Sequence, residues 1–400
     1  MQENRKKKQL NYLDIARGIG IIVVILAHVD TGDNPMCSWI GSFCMAIFFF
    51  VSGALLHYLD RWRNESFARI IVKRLKGVLY PYFSFSALII LYYTFMRVVF
   101  KEGSFSNIAE IVKSTLTLSG YDALWFMPTL FFAEVICVLL LRYFGRGNCP
   151  GRDEAGTKDE TGTKDGAGTK DGAEIKDADK YKTEPGSGSA AYKRGVRKEW
   201  AGFAAVTVLS LICYCVLHYG IIEEYADGWF TFVKFTRILM SAVFIYAGYF
   251  YFEYKDRILK INQKAMITAC IIWLIIDFPI AQPNHFVDYS FVRIVSLPLQ
   301  YLTGILTSFA ILYLGEVLNI KSRPLEYFGK NSLTMMATHN PLPVLGTIYE
   351  LYKKYVPGIG RYGNDIIILL LVLIAEIPIV MFVNRFLPFI VRWPGSKKKV

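Results

Sequence analysis

About ten stretches of this 400-residue chain are each apolar over a length that crosses a hydrocarbon layer of about 30 Å, which takes about 20 helical residues. They lie near 13–30, 36–58, 78–99, 123–142, 200–219, 231–252, 265–281, 295–318, 331–350 and 365–388. In lipid a backbone must satisfy its own polar groups, so runs of this length predict helices. The expected fold is all-α and integral to the membrane, a bundle of about ten transmembrane helices with the bilayer as its surroundings. A 54% hydrophobic content and a mean hydropathy of +0.34 point the same way.

The formal net charge of +12 would suit a nucleic-acid binder, but the cations fall in short clusters between apolar runs, not along a stripe with interleaved aromatics. No nucleic-acid partner is expected, and the clusters read as topology signals. Counting from Arg5 to Lys8, alternate connections hold Arg61, Arg63, Arg69, Lys73, Arg74 and Lys76, then Lys255, Arg257, Lys260 and Lys264, then Lys321, Arg323 and Lys330, then Lys397 to Lys399. The intervening connections are short or acidic, as at Asp30 to Asp33 and at Glu223, Glu224 and Asp227; Lys353, Lys354 and Arg361 break the pattern. This predicts a multi-pass cell-membrane protein with both termini cytoplasmic. Asp14 and Arg17 at the start of the first run, with no small-residue cleavage site after it, argue for a retained span in place of a signal peptide.

The connection at 145–198 is of another kind. AGTKDE, TGTKDG, AGTKDG and AEIKDA follow one another from Ala155 to Ala178, and such a polar, Gly-rich repeat has no apolar face to bury. A disordered cytoplasmic insertion in a single domain spanning 1–400 is expected. The seven cysteines form no CxxC pair and no zinc-like spacing with histidine, so no metal is expected.

Ionisable residues inside spans cost about 2.5–3.5 kcal/mol each on insertion scales, and so tend to face a bundle interior or a wet cavity. Arg17 and His28 lie eleven residues apart in one run, about 16 Å along a helix and nearly on one face. Either they serve a site, or Arg17 reaches the headgroups and His28 sits at the interface. Glu134, in LWFMPTLFFAEV, has no cation near it in sequence and is protonated, paired across helices, or wet. His339, in NSLTMMATHNP, precedes Pro341 and Pro343, which break a helix where cavities form. Asp277 and Glu376 are further intramembrane acids, functional or locally structural. In RNESFARIIVKRLKGVLYPYF, the residues Arg69, Lys73 and Arg74 recur at helical spacing, as topology signals or as a phosphate cradle. Ser52 and Gly53 in FFFVSGALL suit a close helix approach.

Together, LDIARGIGIIVVILAH, FFFVSGALL, RIIVKRLKGVLYPYF, LWFMPTLFFAE and EYFGKNSLTMMATHNP resemble the acyltransferase family 3 membrane enzymes, in particular the branch of fucose O-acetylases and related sugar acetyltransferases. The resemblance covers essentially all the spans, in order. It implies an O-acetyltransferase that takes an acetyl group from cytoplasmic acetyl-CoA and places it on a hydroxyl of an extracytoplasmic or lipid-linked carbohydrate of the cell envelope, such as a polysaccharide. It also implies that Arg17, His28, Glu134 and His339 are catalytic, that Trp125 accompanies Glu134, and that Arg69, Lys73 and Arg74 bind the donor. LTMMATH stands where the family pattern has an aromatic-rich run. His28 would then be the general base, with Glu134 orienting a histidine or stabilising imidazolium. Trp229, Tyr225, Asp227, His285 and Asp288 are candidate sugar contacts or interfacial anchors. The alternative expectation is a carrier or exporter of a lipid-linked sugar or small metabolite, in which the intramembrane charges line a pathway. Neither the acceptor nor the oligomeric state is readable from the chain.

Overall fold

A computed structural model describes residues 10–29, 34–145, 189–222, 224, 228–285, 287–356, 358 and 360–394, with the side chains of Arg61 and of 145 and 189–198 left aside. The tandem repeat, Arg5 to Lys8, Asp30 to Asp33, Glu223, Tyr225, Asp227 and Lys397 to Lys399 lie outside the described residues. The described residues are mostly helical and form no β-strand, only an isolated bridge between Asp288 and Arg293.

The helices are α1 Asn11–Val29, α2 Pro35–Phe43, α3 Ala46–Leu59, α4 Phe67–Arg74, α5 Tyr80–Phe95, α6 Phe105–Leu116, α7 Phe126–Gly145, α8 Ser189–His218, α9 Trp229–Ile258, α10 Gln263–Ala281, α11 Leu297–Val317, α12 Arg323–Lys330, α13 Ser332–Thr338, α14 Val344–Tyr355 and α15 Arg361–Phe386. Short helices at Arg61–Asn64 and Pro388–Val391 flank the bundle, and α8 begins within the segment expected to be disordered. Among the described residues, nine helical runs are long and apolar enough to span a membrane. They match nine of the ten expected stretches. The tenth, 331–350, is divided: α13 ends at Thr338 with His339 as its cap, Pro341 and Pro343 follow, and α14 starts afresh. Proline lacks an N–H and restricts the residue before it, so the helix stops where the sequence places the pair.

The connection across that part of the bundle starts earlier than expected, at α12. Gly18 of α1 and Gly329 of α12 set the approach: a Cβ on Gly18 would sit 2.1 Å from the Leu325 carbonyl oxygen, and one on Gly329 1.7 Å from that of Asp14. Only glycine permits such backbone contact. From there α1 and the α12–α13 run lead the same way. Ten residues beyond each glycine, about 15 Å on, stand His28 and His339.

The α2–α3 pair is the most enclosed span. Asn34 starts α2 by accepting from the amides of Met36 and Cys37 at 2.8 and 3.1 Å. α3 packs chiefly on α9, and Gly53 is the close approach foreseen in FFFVSGALL, since a Cβ there would meet the Ile245 carbonyl oxygen at 1.8 Å. α9 also packs on α7 and α8, so α3 and α9 form the axis of the core. α4 and α5 join through a π-helical turn, Leu75–Leu79. Pro81 has no N–H to bond one helical turn back, and the widened turn re-spaces the backbone ahead of it. Of the cysteines expected to pack in spans, Cys44, Cys137, Cys213 and Cys270 are buried and Cys215 is exposed.

Candidate active site

His28 and His339, from opposite ends of the sequence, meet edge-to-face with ring centroids 5.0 Å apart. His28 is half-buried and His339 fully buried. His28 Nδ1 bonds the Val24 carbonyl at 2.8 Å, and His339 Nδ1 bonds that of Met335 at 2.7 Å. A carbonyl oxygen only accepts, so each Nδ1 carries the proton and, in the neutral ring, each Nε2 keeps its lone pair. His339 Nε2 has no partner among the described residues. Beside His339, Thr338 donates to Glu376 at 2.7 Å. Glu376 stands fifteen residues into the 26-residue α15, about 22 Å along it. The imidazoles are therefore level with the middle of that span.

His28 borders a cavity of about 820 Å³ in the half of the molecule where α1 ends, called here the far half. Its wall includes Met45 of the second span, Trp125, Lys113 on α6, Lys234 and Arg237 on α9, and Asp288 and Tyr289. Trp125 and Tyr289 lie parallel at 6.4 Å, and the Arg237 guanidinium stands 4.8 Å over the Trp125 ring. The rim is tied to the histidine turn by Asn340, which donates to Asp122 at 2.7 Å. An aromatic face, the imidazole of His28 and hydrogen-bonding groups around such a volume suit a polar, ring-shaped ligand presenting a hydroxyl.

The other expected residues lie elsewhere. Arg17 is paired with Asp14 one turn away, not with His28. Glu134 is buried, takes Arg74 Nε on Oε2 at 3.0 Å and accepts a hydrogen bond from Ser52 on Oε1. It anchors Arg74, and no histidine is among its partners in the described residues: Ser52 lies seven residues beyond Met45 on the same span, about 10 Å deeper. Lys73 pairs with Glu65 at 2.7 Å, and Arg69 is exposed with no side-chain ion pair among the described residues. Arg69, Lys73 and Arg74 do gather on α4, in the near half where α1 begins. Asp277 accepts from Trp39 Nε1 at 2.9 Å and serves packing. Of the candidate sugar contacts among the described residues, Asp288 lines the cavity, Trp229 is buried and His285 is not part of the wall; Trp125, expected to accompany Glu134, lines the cavity too.

Lys234 and Arg237 escaped the sequence reading. The rule that singles out Arg17 applies equally to two cations three residues apart in FTFVKFTRILM. Tyr289 had no signal of its own.

A model of the acyltransferase domain of acyltransferase family 3 matches residues 10–385. The chain belongs to acyltransferase family 3. It is thus a multi-pass membrane acyltransferase, and the match runs from the first residue before α1 almost to the end of α15. No curated protein and no solved structure gives a significant match.

Proposed function

We propose that this acyltransferase moves an acetyl group from acetyl-CoA, bound at the near half, to a carbohydrate hydroxyl held in the far cavity. The observation that carries the proposal is the mid-bundle His28–His339 pair, with His28 at the cavity wall, His339 buried behind it and both Nδ1 atoms committed to carbonyls. A sugar hydroxyl ionises far above neutral pH, so its attack on a thioester needs a base, and imidazole has the matching affinity for protons. His28 Nε2 takes the hydroxyl proton as the oxygen forms its bond to the acetyl carbonyl carbon. The tetrahedral intermediate then expels the coenzyme A thiolate, which recovers the proton from imidazolium. His339 sets a second imidazole against the first, edge to face, and so helps to fix the orientation of the His28 ring.

On the donor side Arg69 is free to bind phosphate, while Glu134 and Glu65 hold Arg74 and Lys73 in place around it. The pantetheine arm would run from there toward the mid-bundle histidines. In this reading α1 begins in the cytoplasm and the cavity serves an acceptor from the opposite side, consistent with a sugar O-acetylase of the cell envelope.

Purified protein in liposomes, given acetyl-labelled acetyl-CoA and a lipid-linked or polysaccharide acceptor, tests this. Wild type should release coenzyme A and label the acceptor, and His28→Ala should do neither. Label retained on wild-type protein would replace direct transfer by an acetyl-histidine intermediate. Consumption of acetyl-CoA by His28→Ala at the wild-type rate would refute the assignment.

A further inference from the structure

Arg237 is 4% exposed, yet no carboxylate pairs with it among the described residues. Its Nη1 donates to the Ser290 carbonyl at 2.8 Å, its Nε has no partner, and one face lies on Trp125. Lys234, one turn back on α9, donates to the Thr117 carbonyl at 3.1 Å and has no ion pair among the described residues either. The acid nearest on the wall, Asp288, spends Oδ1 on the amides of Ser290 and Phe291 and the Ser290 hydroxyl. An enclosed guanidinium with no ion pair among the described residues, and only the longer-range field of Asp288 to offset it, is expensive to keep, because a buried cation normally finds a counter-charge. Both cations border the same cavity as His28.

We infer that the acceptor carries an anionic group, a carboxylate or phosphate on the sugar, which pairs with Arg237 and Lys234 while the sugar ring lies along the aromatic wall and its hydroxyl faces His28. The planar guanidinium, already oriented by Ser290 and Trp125, recognises a planar or tetrahedral oxyanion without losing much further freedom. Selectivity over a neutral sugar follows from the alternative, since a neutral ligand would seal the cavity over an unpaired charge. The inference rests on the acetyltransferase reading only in taking the cavity as the acceptor site.

Its test needs no acyl donor. Binding of methyl glucuronide, methyl glucoside 6-phosphate and methyl glucoside to the full chain in nanodiscs is measured by titration, for wild type, Arg237→Gln, Arg237→Lys and Lys234→Gln. At least one acidic probe should bind wild type tenfold or more tighter than the neutral one, and which of the two does so separates carboxylate from phosphate. Arg237→Gln should erase the preference, Arg237→Lys should keep part of it, and Lys234→Gln should reduce it severalfold. Equal binding of all three probes to wild type overturns the inference whether or not any variant folds. So does displacement of the acidic probe by coenzyme A, which would assign the cations to the donor. An intact anion preference in a protein that never transfers acetyl would instead sink the enzymatic reading alone.

Discussion

The near half of the molecule and the walls of the far cavity treat their ionisable side chains in opposite ways. In the near half charge is tied to charge: Arg17 to Asp14, Arg74 to Glu134, Lys73 to Glu65, Lys255 to Glu316, and His57 to Glu253. In the far half, around the cavity, Arg237 and Lys234 hold only carbonyls, and His28 and His339 turn only Nδ1 to the backbone. Paired charges fix helices against one another in lipid; unspent donors and lone pairs are what a ligand or a proton transfer requires. The near half is thus held in shape by its ionisable residues, and the far half keeps its own available.

That contrast can be broken by substitution, read as thermal or denaturant unfolding in detergent. Glu134→Ala should cost most, about 3 kcal/mol, because it strands Arg74 and the Ser52 hydroxyl beside a buried gap; the partial exposure of Arg74 keeps the loss at the low end for a broken buried pair. Adding Arg74→Met to Glu134→Ala should recover more than half of that loss, and strictly additive losses would show that the pair is not coupled. Ser52→Ala should cost about 1.5 kcal/mol, one hydrogen bond to a charged acceptor that retains its arginine. His28→Ala should cost about 1 kcal/mol or less, since the ring is half-buried beside a cavity, and a loss matching Glu134→Ala would dissolve the contrast. Lys73→Ala should change stability by under about 0.5 kcal/mol, because that pair faces solvent.

The spans were legible because apolar length in lipid leaves little choice but helix, and nine of them fall where hydropathy places them. The divided segment was half legible. Pro341 and Pro343 announced the break, but α12 is too polar to read as part of a crossing, and only the backbone contact of Gly18 with Leu325 shows that it runs beside α1. The meeting of His28 with His339 rests on that register between helices some 300 residues apart, which no local pattern encodes. Glu134 was half legible: the lack of a nearby cation left cross-helix pairing as one of three states open to it, and only the packed bundle shows that Arg74 is the partner. Arg237 could have been found from its cost in lipid, though not its lack of a counter-charge, which is a property of the packed bundle.

The division of labour is tested most directly by steady-state kinetics of acetyl transfer in liposomes for two variants side by side, one from each half. His28→Ala should lose about 10²–10⁴-fold in kcat with the KM for acetyl-CoA unchanged, as expected on removing a general base. Arg69→Ala should raise the KM for acetyl-CoA severalfold and leave kcat near wild type. If instead His28→Ala weakens the donor and spares kcat, or Arg69→Ala abolishes turnover at saturating donor, the far half does not hold the chemistry.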